Sequence, residues 1–177
     1  MTISIHKNAI SEDLAKICVD ELENKLNMNV WKCSAFDWEK NIQHNITGSC
    51  FRCEISDTTS DIIMEQISKY VPKKFDDLNF QFVVWQSHSG LSMHNDAVYY
   101  FAATIYLNEF WHPNWGGLFL WNSSDQKNED YDDQWKVIVP QYRSLIINES
   151  NKDHLVTHLS PTTPKLRYTI QIFSVKE

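Results

Sequence analysis

The spacing of apolar residues changes character once along this chain, near Asn79, and that change constrains the fold more than any other feature. Before it, the segment Ser11–Asn27 carries Leu14, Ile17, Cys18, Leu22 and Leu26 on one stripe, the spacing of an amphipathic helix. Ser11 is a suitable N-cap, and Glu12 and Asp13 sit where the helix dipole favours acids. A second helix is predicted from Ser60 to Val71, capped by Thr59 or Ser60, buried through Ile62, Ile63, Ile67, Tyr70 and Val71, and stopped by Pro72. Val30–Ala35 and Cys50–Ile55 read as short strands. From Asn79 onward the period falls to two, with Phe80, Phe82 and Val84 on one face. The chain then continues as short β-type runs: Tyr99–Asn108, Gly117–Trp121, Trp135–Val139, Ser144–Asn148, His154–Leu159 and Arg167–Val175. Pro113-Asn114, the polar stretch Asn122–Asp133, Pro140 and Pro161–Pro164 separate them. Two helices followed by about eight strands predict a mainly β fold, a jelly roll with N-terminal helices packed on its outside. One domain is expected over residues 1–177, with a helical N-terminal part to about residue 75 and a jelly-roll core from about 79 to 175.

Composition narrows the partners. Seven Trp and an aromatic content of 13% argue for a packed core rather than disorder. A net charge of −7 without a Lys/Arg cluster argues against nucleic acid or an anionic membrane surface. No apolar run approaches the roughly 18 residues of a membrane span. The opening MTISIHKNAISED lacks the apolar stretch of a signal peptide, so a cytoplasmic location is expected. Cys18, Cys33, Cys50 and Cys53 then read as reduced thiols. Cys50 and Cys53 form a lone CxxC with only Cys33 as a third ligand, and buried or idle thiols are preferred to a metal or redox site. The acidic run Asp125–Asp133 reads as a solvated loop. Oligomeric state is not legible.

Function concentrates in Leu91–Trp121. Three of the four glycines, Gly90, Gly116 and Gly117, lie in or beside it, while Gly48 stands apart. In an extended segment residues two apart share a face, so His94 and Asp96 can offer a nitrogen and a carboxylate oxygen to one point. One further His, either His154 or His158, completes a two-His-one-carboxylate face, which suits ferrous iron and leaves coordination positions open. An HxD alone is common, and a lone strand His is more often structural. Downstream, Arg167, Thr169, Gln171 and Phe173 alternate onto one face, and an Arg on a half-buried strand needs an anion. Its planar fork suits a carboxylate held bidentately, with a structural salt bridge as the plainer alternative.

Taken together, His94-Asn95-Asp96, Tyr106-Leu107-Asn108, Trp111–Gly117, Ser144–Asn148, His154-Leu155-Val156 and Arg167-Tyr168-Thr169-Ile170 resemble, in order, the iron(II)- and 2-oxoglutarate-dependent oxygenases of the prolyl 4-hydroxylase-like group. The resemblance runs from about Phe80 to Phe173. It implies that His94, Asp96 and His154 bind Fe(II), and that Arg167 pairs with the distal carboxylate of 2-oxoglutarate, with Thr169 beside it and the Tyr106 hydroxyl reaching the same group. It implies 2-oxoglutarate and O2 as cosubstrates, succinate and carbon dioxide as products, and hydroxylation of an unactivated C–H bond. Two departures stand out: His158 occupies a position where the family usually has Pro, and the interval from His154 to Arg167 is long. His154 is preferred over His158 because Val156 follows it in the family's His-x-Val pattern.

The substrate is expected to be a small amino-acid-like molecule or a peptidyl residue, with Trp85, His88, Trp111 and Trp121 as candidates for lining its pocket. Core or rim packing is an equal alternative for each. Two other classes compete: a metal cupin that needs no 2-oxoglutarate, against which Arg167 argues, and a non-catalytic jelly-roll binding module, against which the complete ligand set argues.

Overall fold

The computed structural model describes residues 3–28, 30–34, 49–71, 78–96, 99–123, 135–148 and 152–175. Ala35, Gly48, Pro72 and the acidic run Asp125–Asp133 lie outside them. The described elements are β1 (Ile3–His6), α1 (Glu12–Leu26), β2 (Lys32–Ser34), β3 (Cys50–Glu54), α2 (Asp57–Ile67), β4 (Asn79–Trp85), β5 (Leu91–His94), β6 (Tyr99–Tyr106), β7 (Phe119–Asn122), β8 (Trp135–Ile138), β9 (Leu145–Asn148), β10 (His154–Val156) and β11 (Arg167–Val175). They form two sheets, antiparallel throughout. One has seven strands in the order β1-β9-β6-β11-β4-β3-β2, the other four in the order β5-β10-β7-β8. The fold is the mainly β jelly roll expected, with two helices outside it. No described helix is long and apolar enough to cross a membrane.

The alternation of the central strands explains this layering. Phe82 and Val84 of β4, Phe101, Ala103 and Ile105 of β6, Leu145 and Ile147 of β9, and Ile170 and Ile172 of β11 share one cluster with Leu14, Cys18 and Leu22 of α1 and Ile63 and Ile67 of α2. That face of the seven-stranded sheet is covered by the helices. The intervening residues, among them Val83, Trp85, Tyr106, Ile146 and Arg167, point the other way and enclose a cavity with β5, β7 and β10. A strand has only two faces, so the helix-facing core fixes which residues can reach the cavity.

The structure departs from expectation in several places. β2 and β3 are the two short strands expected, and β1, which was not expected, joins the same seven-stranded sheet. β1 and β5, of four residues each, were not among the strands expected. The second helix begins earlier than predicted, at Asp57, with Ser56 as its N-cap rather than Thr59 or Ser60. β7 begins at Phe119 because Gly116 and Gly117 hold φ of 72° and 64°, outside the strand region. β10 stops at Val156 because the chain then bonds elsewhere: Leu159 N donates to Ser89 O and His88 N to Leu159 O. Cys50 and Cys53 are three apart on β3, so their side chains leave opposite faces and cannot converge on a metal. All four cysteines are free, and burial pushes the Cys18 thiol up to about 12 and the Cys50 thiol to about 11.

The missed cap of α2 is held from α1. Glu21 accepts from Ser56 N (2.8 Å), Ser56 Oγ (2.9 Å) and Thr59 Oγ1 (2.5 Å), and pairs with Lys25 Nζ at 3.0 Å. Partial burial raises the Glu21 pKa, but these hydrogen bonds outweigh it and hold the carboxyl below its ordinary value. A carboxyl with a depressed folded-state pKa adds stability above its unfolded value and loses it as pH falls through the folded one. Glu21→Ala is expected to cost about 1–2 kcal/mol at neutral pH, from the lost cap and its unpaired donors. Urea melts at pH 7 and pH 3 check this, and the gap between wild type and variant should narrow at the lower pH.

Candidate active site

His94 is the last residue of β5 and His154 the first of β10, and the two are direct cross-strand partners. Their ring centroids lie 4.1 Å apart. Asp96 is two residues past His94, just beyond the strand, and Asp96 O accepts from Tyr99 N at 2.9 Å. Its two carboxylate oxygens face the two rings. Asp96 Oδ1 lies 3.6 Å from His94 Nε2, and Oδ2 lies 3.5 Å from His154 Nε2. Ligand atoms of the three residues all fall within 4.8 Å of one another, the one such group of His, Cys, Asp or Glu among the described residues.

Both imidazoles are oriented in the same way. His94 Nδ1 lies 2.7 Å from Ser92 O, and His154 Nδ1 lies 2.8 Å from Lys152 O. Each Nδ1–H donates to the carbonyl two residues earlier, which leaves each Nε2 lone pair facing Asp96. A ligating histidine needs this arrangement, since the distal N–H bond sets both tautomer and ring angle. Burial and the neighbouring His154 ring lower the His94 pKa to about 4, against the opposing pull of Asp96. His94 is therefore neutral near pH 7, as a metal ligand must be. Two imidazole nitrogens and one carboxylate oxygen on a buried face suit a divalent ion such as Fe(II) and leave part of its coordination sphere to other ligands.

The opposite end of the cavity is cationic. Arg167, the first residue of β11, is only 1% exposed, as is Tyr106 at the end of β6. Arg167 Nε and Nη1 and Tyr106 Oη are buried without a hydrogen-bond partner. The guanidinium carbon lies 5.1 Å from the Tyr106 ring centre and 5.5 Å from that of Trp85, so two aromatic faces flank the charge. Burial pulls the Arg167 pKa down from its ordinary value, yet arginine remains cationic in proteins. Burial likewise raises the Tyr106 pKa, keeping the phenol a neutral donor. The hydroxyl and the guanidinium favour one another's charged forms, yet three buried donor atoms without a geometric hydrogen bond in one cavity lining are an unusual cost. They match an anion with several acceptor oxygens.

The cavity joining these two ends has a volume of about 110 Å3, with apolar walls that include Val83, Leu91, Phe119, Ile146 and Val156. Thr169 is buried next to Arg167, but its hydroxyl is engaged: Oγ1 accepts from Trp85 Nε1 (3.2 Å) and donates to Val83 O (3.2 Å). It thus fixes Trp85 over the guanidinium. Gly117 passes so close that a Cβ there would stand 2.9 Å from Arg167 Cδ.

Of the two candidate histidines, the structure brings His154 to His94 and Asp96, while His158 is exposed and outside the group. The His158 backbone is wedged between Gly90 and Gly116, where an added Cβ would meet it at 2.9 Å and 2.0 Å. Of the aromatic candidates for the substrate pocket, Trp85 lines the cavity. Trp111 is buried in a neighbouring cluster, with Nε1 donating to Gly116 O at 2.8 Å. Trp121 is the cross-strand neighbour of His154 and packs against Phe119 from outside the cavity lining. His88 is exposed in a turn with φ 68°. Sequence reasoning missed Asn148, Arg52, Thr104, Tyr99 and Gln171, all of which line the cavity. For Thr104 and Gln171 the strand alternation with Tyr106 and Arg167 was a usable signal.

Comparison with known proteins agrees with this geometry. A family model described as the 2OG-Fe(II) oxygenase superfamily matches residues 80–173. A search of curated protein sequences finds no match. Among solved structures, a Pseudomonas putida prolyl-4-hydroxylase aligns with TM-score 0.71 at 14% identity, over 98% of this chain and 92% of that one. A Trichoplax adhaerens prolyl hydroxylase, solved with a hypoxia inducible factor peptide fragment, aligns with TM-score 0.70 at 16% identity, over 98% and 83%. HygX from Streptomyces hygroscopicus, solved with nickel and 2-oxoglutarate, aligns with TM-score 0.66 at 11% identity, again over 98% and 83%. At these identities the structural matches speak for the fold, while the family model covers more than half of the chain. The chain belongs to the 2OG-Fe(II) oxygenase superfamily, whose members are dioxygenases dependent on iron(II) and 2-oxoglutarate.

Proposed function

We propose that this protein hydroxylates an unactivated C–H bond of a small amino-acid-like or peptidyl substrate, with His94, Asp96 and His154 holding Fe(II) and Arg167 holding the distal carboxylate of 2-oxoglutarate. The observation that carries this reading is the pairing of a buried His-Asp-His face with a buried, unpaired arginine across one small cavity. Bound iron with 2-oxoglutarate and O2 supplies oxidative decarboxylation to succinate and carbon dioxide, coupled to hydroxylation of the substrate. The chain's own residues do the positioning. His94 and His154 present neutral nitrogens, and Asp96 contributes the anionic ligand. Arg167 and the Tyr106 hydroxyl donate to the distal carboxylate. Thr169 acts through Trp85, holding the ring against the guanidinium. The apolar walls keep water from competing for the donors.

Family membership favours this reading over a metal enzyme working without 2-oxoglutarate and over a non-catalytic binding module. One neighbour was solved with a peptide fragment and another with hygromycin B bound, so the fold accommodates both peptidyl and small-molecule ligands. Trp85 remains the aromatic candidate that reaches the cavity, while Trp111, Trp121 and His88 serve the surrounding structure in this reading.

Anaerobic addition of Fe(II) and then 2-oxoglutarate should produce a weak visible charge-transfer band, and its absence at saturating cosubstrate would refute the proposal. Asp96→Ala should stay folded but lose iron on desalting, read by metal analysis beside a circular dichroism spectrum. His154→Ala should abolish 2-oxoglutarate turnover, whereas His158→Ala should retain it; the reverse result would move the ligand to His158.

Arg167 tests the cosubstrate separately from the metal. Arg167→Gln leaves a buried carboxylate unpaired, a loss of about 3–5 kcal/mol, or roughly two to three orders of magnitude in 2-oxoglutarate affinity. Arg167→Lys should lose less, because charge survives while the fork does not. Iron affinity should hardly move in either. Titrating 2-oxoglutarate into the anaerobic iron proteins measures all three affinities, and near-normal binding by Arg167→Gln would assign Arg167 to the fold alone.

A further inference from the structure

β9 reads Leu145-Ile146-Ile147-Asn148 and all four side chains are buried. The first three are apolar, as a strand in the middle of a sheet requires. Asn148 is only 4% exposed, and a primary amide so placed is costly unless its polar atoms find partners. Its partners are at the metal-binding face. Nδ2 donates to Asp96 Oδ2 at 3.4 Å and lies 3.2 Å from His154 Nδ1, while Oδ1 accepts from Lys152 N at 3.3 Å. The opposite amide orientation would set Nδ2 against the Lys152 N–H and an oxygen against the Asp96 carboxylate, so two bonds fix the orientation present. His154 Nδ1 gives its proton to Lys152 O. The amide therefore touches that ring as a stop against rotation rather than as a hydrogen-bond partner.

The position of Asn148 in the fold matters as much as its bonds. His94 and His154 belong to the four-stranded sheet, and Asp96 lies in the connection leaving it. Asn148 belongs to the seven-stranded sheet, paired with Ile3 of β1 and Ala102 of β6. It reaches across the gap and holds residues of the other sheet. A carboxylate just beyond a strand end has a free rotor, and nothing in β5 itself sets its angle. Through Lys152 N, Asn148 also anchors the segment whose carbonyl orients His154.

We propose, building on the metal-binding reading above, that Asn148 is a positioning residue for the metal face. It holds Asp96 by one oxygen and blocks the His154 ring, so that both ligands stay aimed at a common point before any ion binds. With Oδ2 engaged by the amide, Oδ1 is the oxygen left for the metal. A carboxylate so held would offer one oxygen to an ion bound there. Partners of this kind around a metal site typically change affinity by about 10–100-fold when removed.

The test uses the full-length metal-free protein and Co(II), whose visible absorption reports coordination number and geometry. Asn148→Leu keeps the volume and removes the amide; Asn148→Ser provides a smaller side chain should leucine disturb the sheet. In each folded variant Co(II) affinity by calorimetry should fall about 10–100-fold, and the absorption band of the bound ion should change in intensity as Asp96 is freed. A residue needed only for packing would lower the melting temperature and leave both readouts of the folded protein alone. A folded variant with Co(II) affinity within about twofold of wild type and an unaltered band overturns the proposal, as does an increase in affinity. Failure of the wild type itself to take up Co(II) would instead overturn the metal-binding reading on which it rests.

Discussion

A guanidinium removed from water with two of its donors unpaired is the arrangement on which the remainder of this site depends. Moving such a charge into a protein interior costs several kcal/mol even after relaxation, and no described carboxylate stands against Arg167. The surroundings reduce that cost without removing it. Two aromatic faces flank the cation, and Gly117 makes room for its stem. The apolar strands around it then hold open a space that only an anion can fill favourably. Asp96, the one carboxylate lining the cavity among the described residues, faces the two histidines. The cavity thus carries a buried cation and a separate His-Asp-His face in its lining.

Much of this was legible in the sequence, and for stated reasons. Alternation along β11 put Arg167 and Gln171 on the face opposite Ile170 and Ile172, and the helix-facing cluster confirms that division. His94 and Asp96 were read as two residues of one extended strand. The structure ends β5 at His94 and leaves Asp96 just beyond the strand. The spacing of two still converged, but by a different route. His154 could not be separated from His158 by alternation alone, since both positions have the same parity. What separates them is that β10 ends at Val156, and local alternation carries no information about where a partner strand stops.

Other features depended on contacts remote in sequence. Ser56 caps α2 because Glu21, 35 positions earlier, reaches it, and nothing in the local sequence marks Ser56 above Thr59 or Ser60. β1 and β5 are too short to show a period and exist because β9 and β10 offer them edges. Asn148 followed three buried aliphatics and looked like the polar end of a strand. Trp111 and Trp121 were candidates for lining the pocket, whereas the structure packs them beside the loop and strand that border the site. Aromatic residues fill volume wherever the fold leaves it, so their sequence position says little about which side of a wall they occupy.

The division of labour between the two sheets has a consequence for how this molecule responds to its ligands. Both histidines ride on the small sheet, while Arg167, Tyr106 and Asn148 ride on the large one. A cosubstrate that touches an ion at one end and Arg167 at the other becomes a strut between the layers, and its binding energy is felt as resistance to their separation. Ligands bound only by the folded state raise its stability by mass action, by about 2.7 kcal/mol at one hundred times the dissociation constant. In the reading proposed above, the layers are thus joined twice over, by the covalent chain and by whatever ligand bridges the two sets of residues.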